Sequence, residues 1–462
     1  MLNQIIHNDC LEVLKEIPDN YFDSLITDPP SSISFMNKEW DKDKGGMLNW
    51  INWLSEIMSE SLRVIKPGAC GLVWSLPRTS HWTGMALELA GFKVIDIVHV
   101  AQGQGFPKGQ CLSKQIDQLL GEEREIIGDL KSSRGIKNTT NALGGSWQED
   151  PKITSPSSPE AKFWDGWKTA QLKPAVENWW LVQKPISESS IARNILKHGV
   201  GGLNIDACRI SIDKDDPNQR SNGSIPISEG GKTSMFKMGG RNPKIKGNTL
   251  DMSSGRFPSN LILSCGANCI GDDHSPDCPI SVIGEQSGLS ASIQNKISDN
   301  RRYARNKIYG GGLPGERNES NSYEDKGTSA RFFKNLPFDP ETIPSIYYQS
   351  KASPKDRSSN GKVKNIHPTV KSRHLMKYLI TLITPKDGIV LDPFCGSGTT
   401  AIACKELGFN YVCIEKEKEY FDIACDRINQ VRDYSEIKEE DKEEGNKEEE
   451  IKDLEDNQLS LF

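Results

Sequence analysis

The chain contains no apolar run approaching the roughly 18 residues that a membrane-spanning helix needs, and no charged-then-apolar leader opens it. The expected compartment is therefore the cytoplasm. The glycine-rich stretch at 392–400 is not a G-x-G-x-x-G, and it lacks the G-K-[ST] of a phosphate cradle, which sets aside two common nucleotide fingerprints there. No C-x2-C pair occurs. The eleven cysteines are scattered and, in that compartment, read as mostly reduced and buried. Positive charge is also short, with a net of −6. That deficit is local: from Glu436 to Asp456 twelve acids and four lysines give −8, so the rest of the chain carries +2. A body of that charge with an acidic tail is compatible with a polyanionic partner but does not by itself indicate one.

What is present begins with Val390 to Thr400, V-L-D-P-F-C-G-S-G-T-T. The apolar Ile389, Val390 and Leu391 end at Asp392, a turn with Gly396 and Gly398 follows, and Thr399 to Leu407 has helical character. Strand, tight loop and helix in that order put a ligand at the carboxyl end of a strand. An acid ahead of the glycines would repel phosphate and suits a cationic or amine-bearing ligand. The next strand ends at Glu415, 23 residues after Asp392, which is where nucleotide-binding units hold a ribose diol. Elsewhere, apolar segments alternate with helical ones (strand 23–27, helix 50–64, strand 69–74, helix 79–90, strand 92–100) and predict a mostly parallel sheet with helices on both faces.

The loop resembles the cofactor loop of the DNA amino-methyltransferases, D-P-F-x-G-S-G-T-T. The likeness extends upstream to His367-Pro368-Thr369-Val370-Lys371, similar to the family's H-P-T-x-K-P, and to Asn8-Asp9-Cys10-Leu11-Glu12, similar to its G-D-x-L-E. The resemblance implies an α/β, Rossmann-like S-adenosylmethionine-dependent methyltransferase fold. It implies that the cofactor is held by Asp9, Asp392, Phe394, Gly396, Gly398, Thr399 and Glu415. Asp9 would meet the adenine amino group, with Asn8 a departure from the family glycine; it also suits an ordinary strand-end cap.

Asp28-Pro29-Pro30 resembles the family's D-P-P-Y. An exocyclic amine conjugated with its ring is a poor nucleophile. Two acceptors aimed at its protons, the Asp28 carboxylate and the Pro29 carbonyl, would expose the lone pair, and Pro30 stiffens the loop. Ser31 stands where the family has an aromatic that stacks on a flipped base. Phe35 and Trp40 lie just downstream, in a segment similar to I-S-F-M-x-K-x-W-D of an often phage-borne subgroup. They supply the missing platform, or they pack the loop; both readings are open.

Residues 130 to 170 read as a long polar loop, after which Trp179 to Val182 resumes the sheet. Residues 1–186 then form the catalytic half, 187–351 an irregular target-recognition region, 352–434 the cofactor half and 435–462 an acidic tail. In the middle span Arg301, Arg302 and Arg305 flank Tyr303, suiting phosphate contact with stacking, or a solvated loop. Cys265-x3-Cys269-x4-His274-x3-Cys278 offers four soft ligands to a tetrahedral zinc, though Asp272, Asp273 and Asp277 crowd it and four bystanders is the other reading. The terminal Gln458-Leu459-Ser460-Leu461-Phe462 resembles the bacterial sliding-clamp-binding pentapeptide.

The resemblance implies methyl transfer from S-adenosylmethionine to adenine N6 in double-stranded DNA, in a bacterial or phage-infected cell. Cytosine N4 is the alternative. Methylation of RNA or of a protein glutamine, and a catalytically inactive relative, are rival readings. No nuclease motif is visible, which favours a solitary modifying enzyme.

Overall fold

The computed structural model describes residues 2–33, 38–102, 109–129, 152–172, 175–210, 256–265, 278–287, 365, 367 and 369–431, with short pieces at 224–226, 249–251, 269, 274, 290–291, 326–327 and 329–336. Phe35, Arg301, Arg302, Arg305 and the terminal Gln458, Leu459, Leu461 and Phe462 lie outside the described residues.

The strands are β1 (Gln4–His7), β2 (Phe22–Thr27), β3 (Ile65–Ser75), β4 (Lys93–Gln102), β5 (Ile126–Asp129), β6 (Lys152–Thr154), β7 (Val176–Gln183), β8 (Ser224–Pro226), β9 (Thr249–Asp251), β10 (Leu261–Ser264), β11 (Ser290–Ala291), β12 (Lys326–Gly327), β13 (Lys334–Leu336), β14 (Ile389–Asp392) and β15 (Asn410–Glu415). The helices are α1 (Cys10–Glu16), α2 (Met47–Val64), α3 (Ser80–Leu89), α4 (Leu112–Leu120), α5 (Pro159–Phe163), α6 (Ile191–His198), α7 (Pro279–Ser287), α8 (Arg373–Ile383), α9 (Thr399–Leu407) and α10 (Lys418–Ile428).

The chain divides into two units. The first comprises 1–204, 260–279 and 335–462; the second comprises 205–259 and 280–334. In the first, a nine-stranded sheet runs in the order β1-β15-β14-β2-β3-β7-β4-β10-β13. The β1–β15, β15–β14, β14–β2, β2–β3 and β4–β10 pairs are parallel, and β7 runs antiparallel to both β3 and β4. The second unit contains, among its described residues, the β8–β9 and β11–β12 pairs, an Ile210–Arg256 bridge and most of α7.

Local sequence explains the layering. Every residue of β2 is buried, as a central strand covered on both faces requires. Its three polar members are satisfied inside: Asp23 accepts from the Ile389 amide at 2.8 Å and Lys66 at 2.6 Å, the Ser24 hydroxyl meets Thr384 at 2.8 Å, and the Thr27 hydroxyl donates to Asp392 at 2.7 Å. Helix α2 buries Trp50, Ile51, Leu54, Ile57, Met58, Ser61 and Val64, a stripe of helical period that packs on the sheet. Truncating a fully buried member such as Leu54 to alanine costs about 2–5 kcal/mol.

Two expectations change. Residues 152 to 170 are not plain loop: β6 pairs with β5, and α5 follows. The polar composition misleads because the buried Asp117 collects the Ser157 amide, the Ser158 amide and hydroxyl, and Arg124. Residues 261 to 264, placed in the recognition span by their setting, instead form β10 of the main sheet, with Ile262 and Leu263 fully buried beside β4.

Candidate active site

The parallel strands place their carboxyl ends on one edge of the sheet, and the acids that terminate them gather there. A cavity of about 670 Å³ opens at this edge and is lined by Asp9, Asp28, Pro29, Pro30, Ser31, Trp40, Asp392, Phe394, Gly396, Thr399 and Glu415, among others. Gly398 stands one step away, capping α9 at φ 85°. A Cβ there would come within 2.9 Å of the Ala424 Cβ, so α10 can approach the loop only because this residue is glycine. Gly396, at φ 56°, faces the His367 ring in the same manner, at 3.1 Å.

The loop acids have structural partners. Asp392 accepts from the Thr27 hydroxyl at 2.7 Å, the Phe394 amide at 3.1 Å and the Thr400 hydroxyl at 2.5 Å. These bonds tie β14 to β2 and shape the turn, and burial pushes its carboxyl up to about 6. Glu415 accepts from the amides of Gly396 at 2.7 Å and Glu417 at 2.8 Å, and burial pushes it up to about 7. A carboxylate offers about four acceptor positions, so both retain capacity towards a ligand. Asp9 is the N-cap of α1, accepting from the Leu11 amide at 3.0 Å, and it pairs with Lys416 at 3.0 Å. Arg427, fully buried, donates to the carbonyl and hydroxyl of Ser397 and to the Thr399 hydroxyl, holding the glycine turn from below.

Asp28 follows the last residue of β2. Its carboxylate meets the Lys371 ammonium at 3.0 Å; that ammonium also lies 3.6 Å from Glu177 and 3.9 Å from the centre of the Trp74 ring. Burial pushes the Asp28 carboxyl up to about 6 against the pull of Lys371, with Glu177 and Asp41 adding to the rise. Burial works against the Lys371 ammonium, but Asp28 and Glu177 outweigh it and raise its pKa, so it stays charged. The Trp50 indole donates to the Pro30 carbonyl at 3.2 Å. Beyond the prolines, the fully buried Asp41 gathers the Ser32 amide at 2.6 Å, the Ile33 amide at 3.2 Å and the Ser31 hydroxyl at 3.5 Å. Ser32 sits at φ 54°, and these bonds hold it there.

Trp40 lines the cavity with its ring 6.0 Å from that of His367 and 14° from parallel, and its indole donates to the Tyr420 hydroxyl at 3.3 Å. It also packs on Tyr420 and Ile423. Burial, with Arg427, Lys371 and Lys38 adding to it, pushes His367 down to about 3, so the ring is neutral. Sequence reasoning gave no role to Lys371, His367, Asp41, Glu177, Trp74 or Tyr420. The signal for Lys371 and His367 was the H-P-T-V-K segment; for Asp41 it was the terminal aspartate of the segment that follows Ser31.

Apart from the cavity, Cys265, Cys269, His274 and Cys278 converge, their ligand atoms all within 4.8 Å of one another.

Residues 281–426 match the family described as DNA methylase, of the N6 and N4 amino type. Among curated proteins, the chain is 41% identical over 68 residues to the Type II methyltransferase M2.LlaDCHI of Lactococcus lactis subsp. cremoris, covering 15% of this chain and 25% of that protein. It is 46% identical over 65 residues to the Type II methyltransferase M.HindIII of Haemophilus influenzae, covering 14% and 21%. The chain thus matches about a quarter or less of the length of these relatives. Among solved structures, the cytosine-N4-specific PvuII DNA methyltransferase aligns over 92% of this chain and 85% of that one, at 12% identity and a TM-score of 0.37. The M1.HpyAVI–SAM complex aligns over 92% and 98%, at 14% identity and 0.34. Likeness that slight adds nothing to the sheet order as an argument for the fold. The family match takes in about a third of the chain, and the glycine-loop residues inside it face the same cavity as Asp28, Pro29 and Pro30.

Proposed function

We propose that this chain transfers a methyl group from S-adenosylmethionine to the exocyclic amine of adenine in DNA. The observation that carries the reading is that Asp28 and Pro29 line the same cavity as Phe394, Gly396 and Glu415. Its volume falls in the usual range for small-molecule sites, about 300–1,000 Å³. The donor set suits the proposed cofactor: carboxylates for a diol, an amine and a cation, aromatic faces for a purine, and a turn whose glycines admit close approach. Glu415 would hold the ribose hydroxyls, Asp9 the adenine amino group, and the loop from Phe394 to Thr399 the remainder. When bound, S-adenosylmethionine supplies a methyl group on an electrophilic sulfonium.

The protein's own part is to hold the target nitrogen. The Asp28 carboxylate and Pro29 carbonyl would accept its two protons and direct its lone pair inward. Positioning of this kind supplies most of the acceleration in such a transfer. The nitrogen that gains a methyl must lose a proton, and Asp28 is the acceptor beside it. Lys371 keeps that carboxylate ionised although it is buried. Trp40, locked by His367 and Tyr420, is the described candidate for stacking on the extruded base in place of Ser31. Aspartate in the D-P-P motif favours adenine over cytosine. Target recognition is assigned to the span 187–351, which includes the second unit and the basic Arg301, Arg302 and Arg305.

Nucleoside mass spectrometry on DNA from cells expressing the wild type or Asp28→Ala tests the reading. N6-methyladenine with the wild type alone is expected. N4-methylcytosine would keep the mechanism and replace the base. Neither product, with S-adenosylmethionine still bound, would reject catalysis and leave the inactive-relative reading. Clamp engagement by Gln458 to Phe462 rests on sequence; unchanged clamp affinity on deleting 458–462 removes it.

A further inference from the structure

We propose that Cys265, Cys269, His274 and Cys278 form a structural zinc site that closes the segment following β10. The four ligand atoms lie within 4.8 Å of one another. The His274 Nδ1 is 3.5 Å from the Cys265 sulfur and 3.9 Å from the Cys278 sulfur. A tetrahedron with zinc–sulfur bonds of about 2.3 Å and a zinc–nitrogen bond of about 2.05 Å has sulfur–nitrogen edges of about 3.6 Å and sulfur–sulfur edges of about 3.8 Å. The observed separations bracket the first of these edges, so zinc needs only small movements of side chains already assembled.

Two features separate this site from chance proximity. The ligands come from four positions spaced x3, x4 and x3, and none of Cys265, Cys269, His274 and Cys278 itself lies in a helix or strand. Cys265 and Cys278 are nevertheless buried, at 7% and 0% exposure. Two buried cysteines at the ends of a fourteen-residue segment, with a third cysteine and a histidine converging on them, suit a metal cross-link of the kind found in small structural zinc loops. Three thiolates with one neutral imidazole are soft donors that favour zinc over magnesium or calcium. A disulfide is the competing cross-link, but it would use two sulfurs and leave the third and the imidazole without a reason to converge.

The site also has a place in the fold. Cys265 directly follows Ser264, the last residue of β10, and Ser264 lines the cavity at the sheet edge. Cys278 directly precedes Pro279, the first residue of α7. The metal would therefore anchor the chain where it leaves the sheet beside the cavity. This inference does not depend on the proposed methyl transfer.

The test is metal analysis of the full chain, produced with zinc in the medium and purified under reducing conditions without chelator. About one zinc per chain is expected, released by a thiol-blocking mercurial. The half-buried His274→Ala and Cys269→Ser variants should each lose most of it while keeping the wild-type circular dichroism spectrum. Cobalt added to the metal-free chain should give the intense visible bands of a tetrahedral thiolate site, and these should shift in His274→Ala. A folded wild type with less than about a tenth of a zinc per chain, even after anaerobic zinc addition, would overturn the proposal. So would full zinc retention in the Cys269→Ser, His274→Ala double variant, or a Cys265–Cys278 disulfide in the intact mass of protein handled anaerobically.

Discussion

Replacing Lys371 by methionine is the sharpest probe of how Asp28 works. The wild-type carboxyl titrates at about 6, with burial raising it and the ammonium 3.0 Å away restraining it. Methionine fills similar space and removes the charge. An opposite charge at that range lowers an aspartate pKa by about 1–3 units, so its loss should carry the Asp28 value to about 7–9. At pH 7 the ionised fraction would fall from about nine-tenths to between about one-half and one-hundredth, a loss of roughly 2- to 90-fold in rate. The loss should shrink as the pH rises, because Asp28 in the variant ionises fully only in alkali. The assay is kcat/KM for methyl transfer to duplex DNA between pH 5.5 and 9.5, with S-adenosylmethionine binding measured alongside. Wild type should show an acid limb near 6, the methionine variant a limb moved to higher pH, and Lys371→Arg a limb close to wild type. A pH-independent loss in the methionine variant, with the limb unmoved, would refute this account and leave Lys371 a packing residue over Trp74.

Asp41→Asn keeps the shape of the side chain but turns one acceptor towards the Ile33 amide into a donor; turnover should fall by more than about 10-fold, with cofactor affinity changed less than about 2-fold. Equal loss of both in kinetics and calorimetry would count against a role confined to the D-P-P loop. Gly398→Ala combines a left-handed backbone with a 2.9 Å approach to Ala424; about 2–5 kcal/mol of stability should be lost in urea unfolding, and an unchanged midpoint would contradict the close packing of α9 on α10. The ligand-free protein should also respond to pH in a particular sense. Asp28, Asp392 and Glu415 have folded-state values of about 6, 6 and 7, above their ordinary ones of 3.8, 3.8 and 4.5. Their contribution to stability is thus fully present below those ordinary values, falls as pH rises from there, and is fully lost once pH has passed 6 to 7. Asp28→Asn should therefore flatten the decline in Tm between about pH 4 and 6.5, and an unaltered slope there would mean that Asp28 titrates normally.

Much of the sheet edge was legible because each strand there announces itself locally. Ile389 to Leu391 followed by Asp392, and the strand ending at Glu415, carry both the apolar run and the terminating acid. The spacing of Cys265, Cys269, His274 and Cys278 likewise survives as written. What was not legible depends on partners remote in sequence. Lys371 reaches Asp28 across more than three hundred residues, and no local pattern marks a lysine as the counter-ion of a particular aspartate. The reversal of β7 against β3 and β4 was hidden for a related reason: V-E-N-W-W-L-V-Q has the composition of a buried strand, and composition is indifferent to direction. The stretch before β7 read as loop because its order comes from one buried carboxylate, Asp117, rather than from apolar periodicity.

The sheet order has a consequence for how the chain is made. β1 and β2 leave the ribosome well before β14 and β15, yet β15 and β14 lie between them in the sheet. Thr27 and Ile389 bound a stretch of roughly 360 residues, which a ribosome adding about 5–20 residues per second takes on the order of 20–70 s to produce. Throughout that interval the first strands expose inner edges whose rightful neighbours do not yet exist. A stalled or prematurely terminated nascent chain would present a gap two strands wide, all of it backbone seeking partners. Emergence of β14 and β15, rather than collapse of the early segment, is then the event that lets the sheet close, and nascent chains arrested before residue 389 should be prominent clients of chaperones.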